Sequence, residues 1–266
     1  MLIVGELINT SRKAVESAVA ASDAAVIQEI AQAQDKKGAD YLDINCGTFV
    51  NDEAARMQWL VETVQKVSKK PLCIDSPSAR VLEKGLTAIT HGRPMINSIT
   101  AEERRFAEIL PLVLKYQAKV VALCMDDEGI PTTDKKRFAI AEKLITELMA
   151  AGLAADDIYL DPLVQPVATD ALAGKAVLDT IYAIKKGYPQ VHCICGLSNI
   201  SFGLPNRALL NRTFMVQTMT AGMDAYIANP TDDQLMGLLY AADTLLGNDD
   251  FCLKYLKAHR KGLYER

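Results

Sequence analysis

The sequence predicts an α/β protein of the (β/α)8 barrel class. Eight short apolar segments recur along the chain, and nearly all of them end in an acid, an amide or a hydroxyl. Helix-like patterns fill the stretches between them, so strand and helix alternate eight times. The length of 266 residues, with 50% hydrophobic content, suits one such barrel of about 250 residues. The predicted strands span residues 2–6, 41–45, 72–76, 95–98, 120–126, 158–161, 191–199 and 225–229.

Local signals delimit the elements in the first half of the chain. Asp23 precedes an apolar rhythm over residues 26–33, and Gly38 follows it, which predicts a helix that begins after Asp23 and ends before Gly38. Pro71 and Pro94 stand at the predicted starts of the third and fourth strands, where a missing amide hydrogen is tolerated.

Other signals delimit the elements further along the chain. Thr100 with Glu103 and Thr231 with Gln234 have the capping-box spacing, which predicts helices directly after the fourth and eighth strands. Residues 127–136, which include Gly and Pro, are the predicted extended loop. Three glycines are expected to end the helices before the last three strands: Gly152, Gly187 and Gly222.

Composition and charge exclude several classes of protein. One barrel uses the whole length, so residues 1–266 are expected to form a single domain. The net charge of -4 disfavours a nucleic-acid partner, because phosphate neutralisation needs a dense basic surface. The first residues are too polar for a signal peptide, and no apolar run approaches the ~18 residues of a membrane span, so we expect a cytoplasmic protein without membrane contact.

The cysteine and histidine content predicts no protein-bound metal. The chain has six cysteines and three histidines, and no two cysteines have the two-residue spacing typical of zinc sites. Cys73, Cys124, Cys193 and Cys195 fall inside predicted strands, where a cysteine ordinarily acts as a small buried hydrophobe. Cys46 follows a strand end and is the one thiol predicted to be able to face the mouth of the barrel.

Polar residues at the strand ends define a candidate site, because catalytic side chains of such barrels lie at the carboxyl ends of the strands. The set contains no histidine and no lysine, so it forms a hydrogen-bonding surface with little nucleophilic character. This disfavours a Schiff-base aldolase, a metal hydrolase and a phosphate-binding barrel. The residues are Glu6, Asn9, Asp43, Asn45, Asp75, Ser76, Asn97, Ser98, Asp126, Asp161, Ser198, Asn199 and Asn229.

Several carboxylates and amides together suit a flat heterocycle rich in ring N–H and amino donors. An aspartate can accept two parallel hydrogen bonds from an amidine-like edge, and a pterin has such an edge. Any single strand-end aspartate could instead cap a helix or close a loop. The hypothesis of a pterin site therefore depends on the whole set converging.

Six strand ends carry distinctive motifs: Gly5-Glu6-Leu7-Ile8-Asn9, Leu42-Asp43-Ile44-Asn45, Cys73-Ile74-Asp75-Ser76, Met95-Ile96-Asn97-Ser98, Tyr159-Leu160-Asp161-Pro162-Leu163 and Gly196-Leu197-Ser198-Asn199-Ile200-Ser201. Further motifs lie at 206–214 and 221–225. In order and over nearly the whole chain, they resemble the pterin-binding barrels and, among these, the methyltetrahydrofolate:corrinoid protein methyltransferases. The resemblance implies a TIM barrel of the pterin-binding type.

The same resemblance implies roles for individual residues. Asn199 would be catalytic, as the hydrogen-bond partner of the ring nitrogen, N5, that carries the methyl group. Arg207 matches a family arginine near the substrate, although it could equally be a surface arginine paired with a neighbour. The residues implied to bind the pterin or folate are Asp75, Asn97, Asp161, Gly196, Ser198, Asn199 and Arg207. Possible additional mouth residues are Glu6, Asn9, Asp43 and Asn45.

The implied reaction moves a methyl group between N5 of methyltetrahydrofolate and the cobalt of a corrinoid (cobalamin) cofactor held by a partner corrinoid protein. The anion left when the methyl leaves N5 would be very basic, so N5 needs a hydrogen bond or positive charge, which Asn199 can supply. The cobalt needs no activation by this protein, so catalysis is chiefly positioning and charge stabilisation. Either direction of transfer is compatible with the sequence.

The resemblance also implies two protein contacts. A corrinoid protein would dock on the loops after the strands, including residues 127–136 and 202–206. The family forms homodimers, and one candidate contact face contains Met57, Trp59 and Leu60, which could equally pack on the barrel. Residues 202–205 depart from the family pattern, which weakens inference about the choice of partner.

Two alternatives stay open. A dihydropteroate synthase binds pyrophosphate and would be expected to carry lysine and arginine near the seventh and eighth strand ends, where this chain has Ser198, Asn199 and Asn229. A non-catalytic folate-binding subunit would have an intact pocket and transfer no methyl to any reduced corrinoid.

Overall fold

Eight parallel strands close into one barrel, in the order in which they occur along the chain. The structure is a computed structural model and describes residues 1–264. Strand and helix alternate around the barrel, so the predicted (β/α)8 class is confirmed. The strands are β1 (Leu2–Asn9), β2 (Tyr41–Asn45), β3 (Leu72–Asp75), β4 (Met95–Thr100), β5 (Lys119–Leu123), β6 (Ile158–Asp161), β7 (His192–Gly196) and β8 (Ala225–Ala228).

Ten helices are described around and beyond the strands. They are α1 (Lys13–Ala20), α2 (Ala24–Lys36), α3 (Glu53–Gln65), α4 (Ala79–Ala88), α5 (Glu103–Lys115), α6 (Asp134–Ala150), α7 (Ala173–Gly187), α8 (Arg207–Ala221), α9 (Asp233–Leu245) and α10 (Leu253–Arg260). The connection between β1 and β2 holds two helices, α1 and α2, and α1 was not predicted. None of the described helices is long and apolar enough to cross a membrane.

Several predicted boundaries need correction. The strand predicted at 191–199 ends at Gly196, and Leu197–Ser201 forms a short 3-10 helix instead. The strand predicted at 120–126 is Lys119–Leu123, and the loop predicted at 127–136 ends earlier because the Thr133 side chain caps α6 by accepting the Lys136 N–H.

The two predicted capping boxes are wrong. The Thr100 hydroxyl belongs to the last residue of β4 and donates to the Glu102 carboxylate, so α5 begins later. Before α9, Asp232 is the cap and accepts the N–H groups of Gln234 and Leu235, because a carboxylate accepts these bonds better than the preceding threonine does. The prediction at α2 is confirmed, since Asp23 caps it and Gly38, with φ of 100°, follows its end.

Apolar side chains pack on both faces of the strands and form two separate cores. The outer core lies between the strands and the helices, and the inner core fills the barrel below the mouth. Met57 and Leu60 are fully buried in the outer core and Trp59 packs against it, which supports the packing interpretation of that helix. The residues of the inner core are Val4, Tyr41, Cys73, Met95, Val121, Tyr159, Ile194 and Ala225.

The buried cysteines follow the alternation of side chains along a strand. Cys73, Cys124, Cys193 and Cys195 are buried as predicted. Cys46 is also buried, and its thiol points toward the Glu53 carbonyl of α3 at 3.5 Å. Asn45 takes the inward position, so the next residue must face outward. The prediction that Cys46 can face the mouth is therefore wrong.

Candidate active site at the mouth of the barrel

Asn45, Asp75 and Asn97 stand side by side at the mouth. Asn45 is aligned with Asp75 across the β2–β3 pair, and Asp75 with Asn97 across the β3–β4 pair. Aligned residues on parallel strands project to the same side of the sheet, here into the barrel. The Asn45 side-chain N–H donates to Asp75 Oδ2 at 2.8 Å. The structure thus brings together a row of one carboxylate and two amides.

Asp43 lies one layer deeper than this row. It is aligned with Cys73 and is only 2% exposed. The side chains of Cys73 and Asn97 hydrogen-bond to it, but among the described residues its Oδ1 has no partner. Burial, together with the nearby Asp75, raises the pKa of Asp43 well above its ordinary value.

The carboxyl of Asp75 also has a raised pKa. Burial raises the pKa of its carboxyl to about 6, against the lowering effect of the Asn45 hydrogen bond and of the Arg105 guanidinium. A carboxylate whose pKa is close to neutrality can exchange between acceptor and donor states as a ligand requires. Asp43 and Asp75 are therefore two neighbouring carboxyls whose pKa values are both raised by burial.

Asp161 ends β6, further around the mouth. It accepts the N–H of Leu163 at 2.8 Å and also a hydrogen bond from the backbone of Gly196 on β7. Burial raises the pKa of Asp161 to about 7 despite these bonds. The Asp161 carboxyl is thus a third titratable acceptor at the mouth, held by backbone N–H groups after β6 and at the end of β7.

Asn199 lies close to Gly196, whose backbone is hydrogen-bonded to Asp161. Strand β7 ends at Gly196, and the 3-10 helix Leu197–Ser201 presents Asn199 as an exposed residue beside the mouth. A Cβ on Gly196 would lie 3.1 Å from Asn199 Nδ2, so glycine leaves the amide room. Asp161, Gly196 and Asn199 are therefore physically linked.

A cavity of about 240 Å3 adjoins this turn. Burial raises the pKa of Glu6, whereas the positive charges of Arg12 and Arg207 and a hydrogen bond from Ser198 lower it. Arg12 Nη2 lies 3.1 Å from Glu6 Oε1. The cavity walls include Glu6, Arg12, Ser198, Arg207, Asn229 and Asp232.

Some predicted mouth residues serve the local backbone. Ser76 Oγ accepts the Ser78 N–H at 3.1 Å, and its hydroxyl donates to Glu53 of α3 at 2.8 Å. Asn9 and Asn229 each accept a backbone N–H two residues further on, at 2.9 Å. Asp126 does the same for Glu128 at 3.1 Å. These four side chains fit the loop-closing interpretation of strand-end polar residues.

Arg105 was missed by sequence reasoning. It reaches from α5 to the carbonyl oxygens of Ser98 at 2.7 Å, Ser76 at 3.3 Å and Pro77. It thereby ties the ends of β3 and β4 together and places a positive charge near Asp75. A long side chain on a helix leaves no strand-end signal in the sequence.

Comparisons with known proteins agree with this architecture. A family model described as pterin binding enzyme matches residues 5–229. The chain is 36% identical over 264 residues to the methylcorrinoid:tetrahydrofolate methyltransferase of Eubacterium limosum, covering 98% of this chain and 97% of that protein.

More distant relatives match parts of larger proteins or the fold. The methionine synthases of Mycobacterium tuberculosis and Mycobacterium leprae are each 34% identical over 242 residues, and the matched region spans 20% of their length. A crystal structure of dihydropteroate synthase from Thermus thermophilus has a TM-score of 0.64 at 17% identity, over 89% of this chain and 91% of that one, which shows a common fold. The chain therefore belongs to the pterin binding enzyme family and, within it, to the group of the methylcorrinoid:tetrahydrofolate methyltransferase.

Proposed function

We propose that this protein is a methyltransferase that moves a methyl group between N5 of tetrahydrofolate and the cobalt of a corrinoid carried by a partner protein. The observation that carries the proposal is a full-length match, at 36% identity, to a relative named for this reaction. The mouth supports it, since its carboxylates and amides suit a pterin and leave out the nucleophiles that other barrel chemistries use.

The row of Asn45, Asp75 and Asn97 would bind the pterin edge. A carboxylate can accept two parallel N–H bonds from the amino and ring nitrogens, and the amides supply both donors and acceptors. The unpartnered Oδ1 of Asp43 lies just below and can take a further hydrogen bond. Asp161 would hold the ring from another side, with Gly196 and Ser198 beside it.

Asn199 would act at the reacting nitrogen. When the methyl leaves, the C–N electron pair stays on N5, and an amide N–H directed at N5 stabilises that charge. The nitrogen then takes a proton, and the new Co–C bond uses the electron pair of the reduced cobalt. In the opposite direction, N5 first gives up its proton, its electron pair then attacks the methyl, and the cobalt keeps the Co–C pair. The same amide serves both directions because both share one transition state.

The rim of the mouth fits a large protein partner. Exposed apolar side chains follow four different strands, four of them on the connecting loops and one on the first turn of α8, in contrast to the polar pocket inside. Apolar side chains exposed around a functional opening are typical of protein docking surfaces. We assign this rim to the corrinoid protein, whose cobalt must approach the methyl. The side chains are Val50, Ile130, Leu172, Phe202 and Leu209.

Three further assignments belong to the proposal. Residues 1–264 form one domain, since one closed barrel uses almost all of them, and residues 265 and 266 of the predicted domain lie outside the described residues. The protein works in the cytoplasm, where tetrahydrofolate serves one-carbon metabolism, and it forms a homodimer. Solution mass measurement tests the dimer.

Two incubations test the function. The first contains the protein, methyltetrahydrofolate and free cob(I)alamin, and the second contains methylcobalamin and tetrahydrofolate. Enzyme-dependent change of the cobalt spectrum is expected in at least one of them, and the two rates rank the directions. Tight folate binding with no transfer in either incubation would instead identify a non-catalytic folate-binding subunit.

A further inference from the structure

The guanidinium of Arg207 holds the peptide group that carries Asn199. Arg207 Nη2 donates to the Ser198 carbonyl at 2.6 Å, and Nε donates to Ser201 Oγ at 3.1 Å. The Ser198 carbonyl belongs to the peptide bond that joins Ser198 to Asn199. One edge of the guanidinium therefore fixes this peptide plane, and with it the direction of the Asn199 side chain.

A second set of contacts closes the network around the same turn. The Ser201 hydroxyl, which is fully buried, donates to Asn211 Oδ1 of α8 at 2.7 Å. On the other side of the turn, the Ser198 side chain is hydrogen-bonded to Glu6 of β1. The 3-10 helix is thus anchored to the barrel through Glu6 and to α8 through Arg207 and Ser201.

The backbone places Arg207 for this contact. Asn206 adopts the left-handed conformation, with φ of 49°, so the chain turns sharply before α8 begins at Arg207. Asparagine tolerates this conformation better than most residues. The turn directs the first side chain of α8 back over the 3-10 helix, where its guanidinium also lies 5.8 Å from the centroid of the Phe202 ring.

We infer that Arg207 is a positioning residue, which acts on methyl transfer through the Ser198–Asn199 peptide. The inference rests on the proposed function for its catalytic consequence. It differs from the role near the substrate that the family resemblance implies for this arginine. Both hydrogen bonds of its Nε–Nη2 edge are used inside the protein, since the Ser198 carbonyl and the Ser201 hydroxyl take them.

A double-mutant cycle separates the two roles. Arg207→Ala should lower the rate of methyl transfer on the order of tenfold, with the KM for folate changed less than about twofold, because a small displacement of one catalytic group is costly. In the Asn199→Ala background, Arg207→Ala should have almost no further effect. Effects that multiply would overturn the inference, because they would mean that Arg207 contributes separately.

Arg207→Lys distinguishes geometry from charge. Lysine keeps the positive charge but has no planar fork to hold two acceptors. The lysine variant should therefore be about as slow as the alanine variant. Recovery of the wild-type rate by lysine would instead indicate a simple attraction for an anionic substrate.

A spectroscopic measurement on the free protein needs no activity at all. In protein labelled with 15N-asparagine, the Asn199 side-chain amide signal, identified by its loss in Asn199→Ala, should shift or broaden in Arg207→Ala. Arg93→Ala is the matched control, because Arg93 holds Asp157 with two bonds of 2.7 and 2.6 Å and lies at the opposite end of the barrel. An Asn199 signal unchanged by Arg207→Ala refutes the positioning role, whereas absent methyl transfer by the wild type refutes only the proposed function.

Discussion

The side-chain amide of Asn45 donates to the Asp75 carboxylate at 2.8 Å, across the β2–β3 pair. This bond favours the ionised form of Asp75 and so opposes the rise of its pKa to about 6. We expect Asn45→Ala to raise the pKa of Asp75 further, because burial would act with less opposition. Titration of 13C-labelled aspartate carboxyls measures the change.

The neighbouring amide provides the control for that titration. Asn9 is aligned with Asn45 across the β1–β2 pair, but its side chain accepts a backbone bond from Ser11. Asn9→Ala should leave the Asp75 titration where it is. An equal shift in both variants would contradict a specific role for the Asn45 bond.

Asn199→Ala should lower the rate of methyl transfer by about 10- to 1000-fold and weaken folate binding modestly, because one charge-stabilising donor typically contributes a few kcal/mol in the transition state. The visible spectrum of the cobalt follows the reaction. Asn248→Ala is a suitable control, since Asn248 bonds Asp243 at the opposite end of the barrel. A rate of methyl transfer in Asn199→Ala equal to that of the wild type would rule out a catalytic role for Asn199.

Gly196→Ala tests the space beside Asn199. The added Cβ would lie 3.1 Å from Nδ2, so the amide must move, while the Gly196 φ of -69° suits alanine. We expect transfer to slow on the order of tenfold with little change in thermal stability. In Gly174→Ala the new Cβ meets neighbours at ordinary distances of 3.7 and 3.8 Å, so full activity is expected there. Similar rates for the two variants would argue against crowding at Asn199.

Asp161→Asn should reduce folate affinity and remove the part of its pH dependence that is centred near pH 7. With a pKa of about 7, free Asp161 is largely protonated at lower pH. Because donors of the pterin prefer the ionised carboxylate, wild-type affinity should fall as the pH drops below about 7. Asparagine cannot ionise, so the affinity of the variant should be low and should change with pH only through the remaining carboxyls, such as Asp75 with its pKa of about 6. Calorimetric titrations at several pH values measure both.

Asp161→Asn should raise the stability of the folded protein above neutral pH, although it lowers folate affinity. The folded-state pKa of Asp161 lies above its unfolded value, so its contribution to stability is fully present below the unfolded pKa and is lost as the pH rises through about 7. Asp161→Asn removes that loss, and the variant should melt at a higher temperature than the wild type at about pH 8. A lower melting temperature there would mean that the bonds to Leu163 and Gly196 outweigh burial.

His192, at the amino end of β7, should make stability depend on pH in another range. Its ring nitrogens lie 2.9 Å from Asp224 and 2.9 Å from Asp156, and its hydrogen bond with Asp224 is the main cause of its raised pKa. The protonated ring stabilises the fold fully below the unfolded pKa of about 6.5, and this contribution is lost as the pH rises through the folded pKa.

His192→Gln should therefore destabilise the protein more at about pH 6 than at pH 8.5, as measured by urea unfolding. Lys185 and Lys119 lie near the same carboxylates and limit the size of the effect. A difference in unfolding free energy that is the same at both pH values would exclude a role for the histidine charge.

The strands were predictable because nearly every one is a short run of apolar residues that a polar residue follows. Tyr41–Asn45 and Ile158–Asp161 match their predicted bounds. The candidate residues Asp75 and Asp161 follow directly from that pattern, because they end β3 and β6. Asn97 was placed near the end of a shorter predicted strand, whereas β4 continues to Thr100. The apolar residues Leu197 and Ile200 imitate a strand continuation, and only their tertiary packing reveals a 3-10 helix.

What the sequence could not supply depends on long side chains and on competition between neighbours. Arg105 begins on a helix and reaches the site through folding, so its spacing carries no signal, and Arg207 was identified only through the family resemblance. Cys46 was misplaced because one step along a strand reverses the direction of a side chain. Asp232 rather than Thr231 caps α9, because the stronger acceptor lies one residue later.

The inner core has a kinetic consequence. Tyr41, Met95 and Tyr159 fill the barrel beneath the mouth. Under the proposed function, the folate and the corrinoid protein would therefore both reach the site from the mouth. A docked corrinoid protein would cover that opening, so we expect the folate to bind before the corrinoid protein and to leave after it.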